Sequence, residues 1–372
     1  MDIRTKLVFA LVAVSLGSML ALGAFSYDAT REQLQRLALR QLDALAESKK
    51  EDLERVMVAW QDRVQLVTSR TALRDRLMRY RKTRDPEDAA TIQRILVDAE
   101  SAVDALRGIS VFTADRQHVA SAGVDPGRKM GIGVFWHLNE PLVFEDVTLS
   151  DEGELLITFV APIRLEGELI GAAKVLHSAR ELIDVTSEYT GLGESGETIL
   201  ARANLEDGAL VLNPLRHDPE AALRRNIAGD SQDPVLAAIA GEEGVFQDGV
   251  DYRGEPVWAA TRHLRGLDWG LVVKVDTAEE SRPVVELRDT MWKLAVSLSA
   301  FAIIAGLVLG LYFARPIHRL ADVARRIGEG ELELRAPVTS EDEIGLLAAT
   351  INQMAEALVN RNDPERRDRN SS

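Results

Sequence analysis

The sequence predicts an α+β membrane protein with a long N-terminal helix, two small-sheet units outside, two transmembrane helices and a cytoplasmic helical bundle. Three observations carry this. Two runs, Leu7–Phe25 and Leu294–Ala314, hold no charged residue. Between Gly23 and Pro86 there is neither glycine nor proline. Between the two apolar runs, one order of short strands and glycine-bearing turns occurs twice.

Each apolar run has about the 20 residues that a helix needs to cross hydrocarbon. Arg4 and Lys6 precede the first, and Trp292 and Tyr312 stand near the ends of the second, where interfacial aromatics belong. Arg315, Arg319, Arg325 and Arg326 crowd its far side. The positive-inside rule then places both termini in the cytoplasm and residues 28–290 outside. The small residues around Ala21–Ala24 also fit a cleaved signal peptide, but the run is longer than a usual signal core and leads straight into a helical pattern.

Essentially the whole net charge of −15 lies within 28–290. An acidic central region argues against nucleic acid as a partner, because phosphate binding needs a basic face. There is no cysteine, which excludes disulfides, iron–sulfur clusters and thiolate zinc sites. The six histidines form no i+3 or i+4 pair, so the sequence implies no metal, no cofactor and no catalytic residue outside the membrane.

Leu53, Val56, Trp60, Val64 and Val67 recur at spacings of three and four, on one face of a helix. A helix from about Asp28 to Arg81 reaches about 80 Å and needs packing along its length. Asp85-Pro86-Glu87-Asp88 is a start signal for a second helix to about Leu106: an aspartate can cap, proline suits the first turn, and acids suit the positive end of the dipole.

Strands follow. Ile109–Phe112 and His118–Ala120 flank a turn at Asp115, and Leu142–Val147, Leu155–Ile163 and Leu169–Leu176 form a meander joined by Asp151-Glu152-Gly153 and Glu166-Gly167. Downstream, Thr198–Ala203 and Leu210–Leu212 precede an irregular and helical middle over Asp218–Ala240. A second meander then runs through Val245–Gln247, Pro256–Leu264 and Gly270–Val275. Two copies of one α+β plan imply two stacked domains.

The order of long helix, doubled small-sheet unit and membrane return resembles a double Cache (PAS-like) sensor over about 28–280. The phrases Gly191-Leu192-Gly193-Glu194-Ser195-Gly196-Glu197-Thr198 and Gly266-Leu267-Asp268-Trp269-Gly270-Leu271-Val272 carry that resemblance. Gly191, Gly193 and Gly196 also satisfy a GxGxxG spacing, but a helix precedes them and a strand follows, the reverse of a dinucleotide site, so they read as a turn. By the resemblance, the membrane-distal unit holds a small-molecule ligand, with Arg128, Trp136, Phe144 and Asp146 at its wall. Arg128 could pair with a carboxylate, and Trp136 and Phe144 could wall an organic molecule. The simpler alternative is that both rings are core and Arg128 is solvated. Amino-acid-binding members carry an arginine one residue from a Trp-Tyr pair and a late aspartate. Here Val134-Phe135-Trp136-His137 has no tyrosine and the late position falls near Leu176, so an amino-acid ligand is not supported.

Beyond the second span, Leu320, Ala324 and Ile327, then Ile344, Leu347, Ile351, Met354 and Leu358, recur at alternating three and four. That is a heptad seam. With Gly330-Glu331-Leu332 in the linker and Asp342-Glu343-Ile344-Gly345 opening the second helix, the stretch closely resembles a HAMP domain. The resemblance implies a dimeric four-helix bundle, with Pro316 at the joint, Leu332, Leu334 and Val338 tucking the linker against the helices, and Glu343 and Gly345 starting the second helix.

The expected organisation is a cytoplasmic N-terminus over 1–6, a first span over 7–27, stalk and second helix over 28–106, and a membrane-distal Cache unit over 107–182. A membrane-proximal unit follows over 183–280, then a connecting helix over 281–293, the second span over 294–314, HAMP over 315–360 and a polar tail over 361–372. Such a chain is a signal-transducing receptor of a bacterial inner membrane: a homodimer binding a small molecule outside, with an output protein supplied in trans. The alternative is the sensor portion of a histidine kinase or diguanylate cyclase. The tail cannot hold a catalytic core, so the chain as given is expected to have no enzymatic activity.

Overall fold

The computed structural model describes residues 3–127, 140–204 and 208–362. It divides into two compact units, one over Gln33–Arg282 and one over Met1–Glu32 with Pro283–Ser372.

In the first unit the spine is α1 (Ile3–Thr68), followed by α2 (Thr71–Thr83) and α3 (Pro86–Ala102). The predicted single helix to Arg81 breaks at Ser69-Arg70, where Arg70 turns to φ −59°, ψ 122°. The freed Thr68 carbonyl accepts from Arg74 Nε at 3.1 Å. The break lets α2 turn Leu73 and Leu77 into a core with Ile92 and Leu96 of α3 and Ile109 and Val111 of the first sheet. Helical periodicity runs through the break, so no sequence pattern marks it. Asp85 caps α3 as its sequence demands, accepting from Glu87 N at 2.9 Å.

The distal sheet has β1 (Leu106–Thr113), β2 (His118–Gly123), β3 (Val143–Leu149), β4 (Leu155–Leu165) and β5 (Glu168–Ser178), in the order β2-β1-β5-β4-β3. A short helix α4 (Arg180–Ser187) leads onward. The proximal sheet has β6 (Glu197–Asn204), β7 (Gly208–Val211), β8 (Asn226–Ile227), β9 (Gly244–Val250), β10 (Pro256–Leu264) and β11 (Trp269–Asp276), with α5 (Pro234–Ile239) before β9. Its order is β8-β7-β6-β11-β10-β9. Without the two-residue β8, the two orders are identical, and every pairing is antiparallel. The doubled plan read from the turns is thus a doubled topology.

The predicted stripe on α1 packs along both copies. Leu42 and Ala46 meet Trp258, Ala260, Val273 and Val275 of the proximal sheet. Leu53 and Trp60 enter a core that joins the two sheets, with Ile157, Phe159, Leu200 and Trp269. Val64 and Val67 reach the distal core. The length that seemed to need support therefore finds it in the chain's own domains. Polar pins add to this: Lys49 Nζ donates to the Val185 and Glu188 carbonyls at 2.7 and 2.8 Å, at the end of α4. Arg63 makes a two-point pair with Glu181.

In the second unit, the N-terminal part of α1 lies beside α6 (Thr277–Gly328), with Gly23 facing Met291. A groove of about 720 Å³ between them is lined by Leu16, Leu20, Gly23, Met291, Trp292 and Ile303, among others. Among the described residues one helical stretch, Thr277–Val308, is long and apolar enough to cross a membrane. Both Pro283 and Pro316 lie inside α6, which runs on to Gly328 without interruption. The last helix is α7 (Glu343–Asn362).

Candidate functional site

Three places in the chain combine charge, burial and position. The first is the face of the distal sheet opposite α2 and α3. Of the predicted wall, Arg128 and Trp136 lie outside the described residues. Phe144 belongs to the core between the sheets: its ring stands edge-on to Trp269 at 5.3 Å and to Phe159 at 6.3 Å. Asp146 is half-exposed, accepts from Val147 N, and pairs with Arg202 at 3.6 Å. A bulge between Phe144 and Asp146 causes this displacement, because an extra residue shifts the in–out alternation of the strand. The carboxylate that turns inward is instead Glu145, which pairs with Lys174 of β5 at 2.8 Å. Lys174 is a charge inside the apolar phrase Ala172-Ala173-Lys174-Val175-Leu176, a signal that sequence reading could have taken up.

The second place is the matching face of the proximal sheet. Lys274 is fully buried, with its Nζ 2.8 Å from Glu197 Oε1 and bonded to Asp251 Oδ2. The Tyr252 ring lies 5.3 Å from that ammonium, and the Arg253 guanidinium binds the same Asp251 oxygen at 2.8 Å. Burial pushes the Asp251 carboxyl up, but Lys274 and Arg253 outweigh it and hold it below the usual carboxylate range. Burial, with the Glu197 charge, pushes the Tyr252 hydroxyl up.

Asp233 faces the same cluster. Its Oδ1 caps α5 by accepting from Val235 N at 2.9 Å, while Oδ2 is buried without a hydrogen-bond partner among the described residues. Burial, with the nearby Asp251 and Glu197 charges, pushes this carboxyl up to about 6, against the cap bond and Lys274. The folded protein thus holds the proton more tightly than the unfolded chain, whose aspartates titrate near ~3.9. Stability is fully present below about pH 4 and declines as pH rises through about 6, by roughly 2–3 kcal/mol. Asp233→Asn keeps the capping oxygen and removes the charge. It is expected to stabilise the protein by about 2 kcal/mol at pH 7.5 and to change little at pH 4, as read from urea unfolding at both pH values. Equal stability of the two proteins at pH 7.5 would refute this.

The third place links sheet to helix. The Gly191–Gly196 turn closes around the carboxylate of Glu279, in the first turn of α6. Glu279 accepts from the backbone N of Glu194 and of Ser195, both at 2.8 Å, and from the Ser195 hydroxyl. A Cβ on Gly193 would lie 2.4 Å from Glu279 Oε1, so the glycine there makes room for the carboxylate. The spacing that mimics a nucleotide loop is a nest of N–H groups filled by the chain's own glutamate. Glu279 went unread because its partners lie about 85 residues upstream.

At the end of α6, Gly330 N donates to Ile327 O and Glu331 N to Arg326 O, both at 3.1 Å, with Gly330 at φ +106°. That is a Schellman stop. Asp342 caps α7, accepting from Ile344 N and Gly345 N. Glu343 is the first residue of that helix, and a Cβ on Gly345 would lie 1.7 Å from the Ser340 carbonyl oxygen. Leu320, Ile327, Ala336, Ala348, Ile351 and Ala355 form the core of the helix pair, with Leu332 and Leu334 packed on it. Val338 is 56% exposed, so Ala336 fills the linker position in its stead. Asn352, unnoticed in the sequence, clamps that residue at two points: its Oδ1 accepts from Ala336 N at 2.6 Å and its Nδ2 donates to Ala336 O at 2.8 Å.

The HAMP domain family model matches residues 308–360. Beyond it, the chain is similar to methyl-accepting chemotaxis proteins and to signal transduction histidine-protein kinases. It is 27% identical over 254 residues to the methyl-accepting chemotaxis protein McpA of Pseudomonas putida, covering 66% of this chain and 37% of that protein. It is 31% identical over 121 residues to the signal transduction histidine-protein kinase AfsQ2 of Streptomyces coelicolor, covering 32% of this chain and 21% of the kinase. The chain thus spans well under half the length of either relative. Among solved structures, the sensory domain of the Campylobacter jejuni chemoreceptor Tlp3 is 12% identical with a TM-score of 0.47, over 68% of this chain and 100% of that one.

Proposed function

We propose that the chain is a membrane receptor subunit that binds a small molecule outside the membrane and passes a conformational signal to its HAMP bundle. The observation that carries this is α6, one helix that starts at the last strand of the proximal sheet, is latched there by Glu279, and ends as the first HAMP helix. Leu7–Phe25 supplies the first crossing and Leu294–Ala314 the second. The basic residues after Ala314 put both termini in the cytoplasm of a bacterial inner-membrane protein. Ligand favours one arrangement of the sensor, and the bundle answers by population shift, with a coupling of about 1–3 kcal/mol.

The working unit is a homodimer. Ile351 is spent on the chain's own helix pair, whereas Leu347, Met354 and Leu358 of the same heptad are 48%, 52% and 37% exposed. A second copy would cover that stripe and complete a four-helix bundle, with Val338 available to close the linker. The chain has no native cysteine, so in isolated membranes treated with copper–phenanthroline and oxygen as the oxidant Met354→Cys is expected to form a disulfide-linked dimer, while Ile351→Cys crosslinks several-fold less. No crosslink from Leu347→Cys, Met354→Cys or Leu358→Cys would remove the dimer.

Similarity to McpA favours an output of the chemotaxis kind. A second reading, the input portion of a histidine kinase, is favoured by the similarity to AfsQ2. The DNA immediately downstream separates them: a methyl-accepting hairpin, a kinase frame or a separate output gene each assigns a different route.

A further inference from the structure

Four arginines follow the second apolar run within α6, and the fold spends them unequally. Arg325 pairs with Asp322 and Glu329, about one turn away on its own helix, and Arg326 pairs with Glu331. Arg315 and Arg319 are exposed and have no hydrogen-bond or ion-pair partner among the described residues. A guanidinium holds its N–H donors in a planar fork that matches the oxygens of a phosphate.

The two unpaired arginines share one face of α6. Val308, Tyr312, Arg315 and Arg319 follow at spacings of four, three and four, a single stripe that leads from the apolar run into the basic one. One helical turn, about 6 Å along the axis, separates Arg315 from Arg319. The headgroup layer of a leaflet is about 5–7 Å deep, so a span that ends at Ala314 leaves both guanidiniums within it.

This stripe is one wall of a cavity of about 570 Å³, and Thr339, Ser340 and Asp342 of the linker supply the other. The Ser340 hydroxyl donates to Asp342, whose Oδ1 also accepts from Ile344 N at 3.0 Å and Gly345 N at 3.1 Å. The acid in this wall is thereby engaged by the positive end of α7. Thr339 adds an exposed hydroxyl. Two guanidiniums against one carboxylate leave the cavity net positive, which favours a lipid of net negative charge over a zwitterionic one.

We propose that this cavity holds the headgroup of an anionic phospholipid of the cytoplasmic leaflet. Its phosphodiester lies between Arg315 and Arg319, Thr339 donates to the headgroup, and an acyl chain runs along Val308, with Tyr312 at the interface between them. A soluble phosphate would match the guanidiniums but leave the apolar end of the stripe unused. The site rests on the reading of Leu294–Ala314 as a membrane span.

The test is native mass spectrometry of the full chain released from nanodiscs of mixed phosphatidylglycerol and phosphatidylcholine, counting the lipids it retains. Phosphatidylglycerol is expected to be retained in preference, and Arg315→Gln with Arg319→Gln to lower that preference by about tenfold. Arg325→Gln with Arg326→Gln removes the same charge from the paired arginines and should leave the preference within about twofold. Thr339→Val changes no charge and should weaken it severalfold, which keeps the test decisive if the first variant fails to insert. Equal loss from the two arginine pairs would reduce the site to bulk positive charge and overturn it, as would equal retention of both lipids. Displacement of the lipid by inorganic phosphate or glycerol 3-phosphate would assign the cavity to a soluble phosphate and overturn the lipid. Release of the chain from membranes by alkaline carbonate would remove the span together with the site, whereas an inserted chain without lipid preference removes the site alone.

Discussion

Replacing Lys274 with methionine is expected to cost the sensor unit about 3–5 kcal/mol, because it takes the ammonium away from two buried carboxylates and leaves Asp251 to Arg253. Glu197 and Asp251 are both fully buried at their side chains, so water cannot take over from the ammonium. Asp233 adds a third acid to the same neighbourhood, leaving Arg253 as the nearest remaining cation on Asp251. Chemical denaturation at pH 7.5 should show the loss, and it should shrink as the pH falls and the acids protonate. A triple variant, Lys274→Met with Glu197→Gln and Asp251→Asn, is expected to regain most of it, since a buried ion pair is far costlier to break than to replace. A loss below about 1 kcal/mol in the single variant would mean that the cluster is more hydrated than its burial implies.

The second large effect concerns Trp60. Its side chain is fully buried where α1 meets both sheets, 5.6 Å from the Phe159 ring and 5.1 Å from His177, and its Nε1 donates to Glu181 at 2.9 Å. Trp60→Ala is expected to cost about 3–5 kcal/mol, the range for emptying a large aromatic site. For a unit of this size that lowers the unfolding temperature by roughly 10 °C. Trp60→Phe keeps most of the packing and loses only the N–H to Glu181, and about 1 kcal/mol is expected. If both substitutions cost the same, the hydrogen bond rather than the ring would be holding α1 in place.

What was legible in the chain was local. Alternation and glycine turns placed ten of the strands, since period two and turn chemistry need only neighbouring residues. The face of α1 carrying Trp60 was legible for the same reason. The break at Ser69-Arg70 was not, because tertiary packing of Leu73 and Leu77 causes it. Asp146 was chosen where Glu145 turns inward, since a bulge moves the alternation without marking the sequence. Lys174, Lys274 and Glu279 found their partners only through long-range pairing. In the HAMP helices the heptad predicted a seam, but a repeat of three and four cannot assign Ile351 to its own helix pair and Met354 to an outer face.

The position of β11 has a mechanical consequence. It is hydrogen-bonded along both edges, to β6 and β10, and α6 begins at the residue after it. The helix therefore leaves from the middle of the sheet and not from its rim, with no loop at the junction to act as slack. A load on the sheet is shared by both neighbours before it reaches the helix. Compliance along α6 is then concentrated at Pro283 and Pro316, where the ring removes a backbone donor.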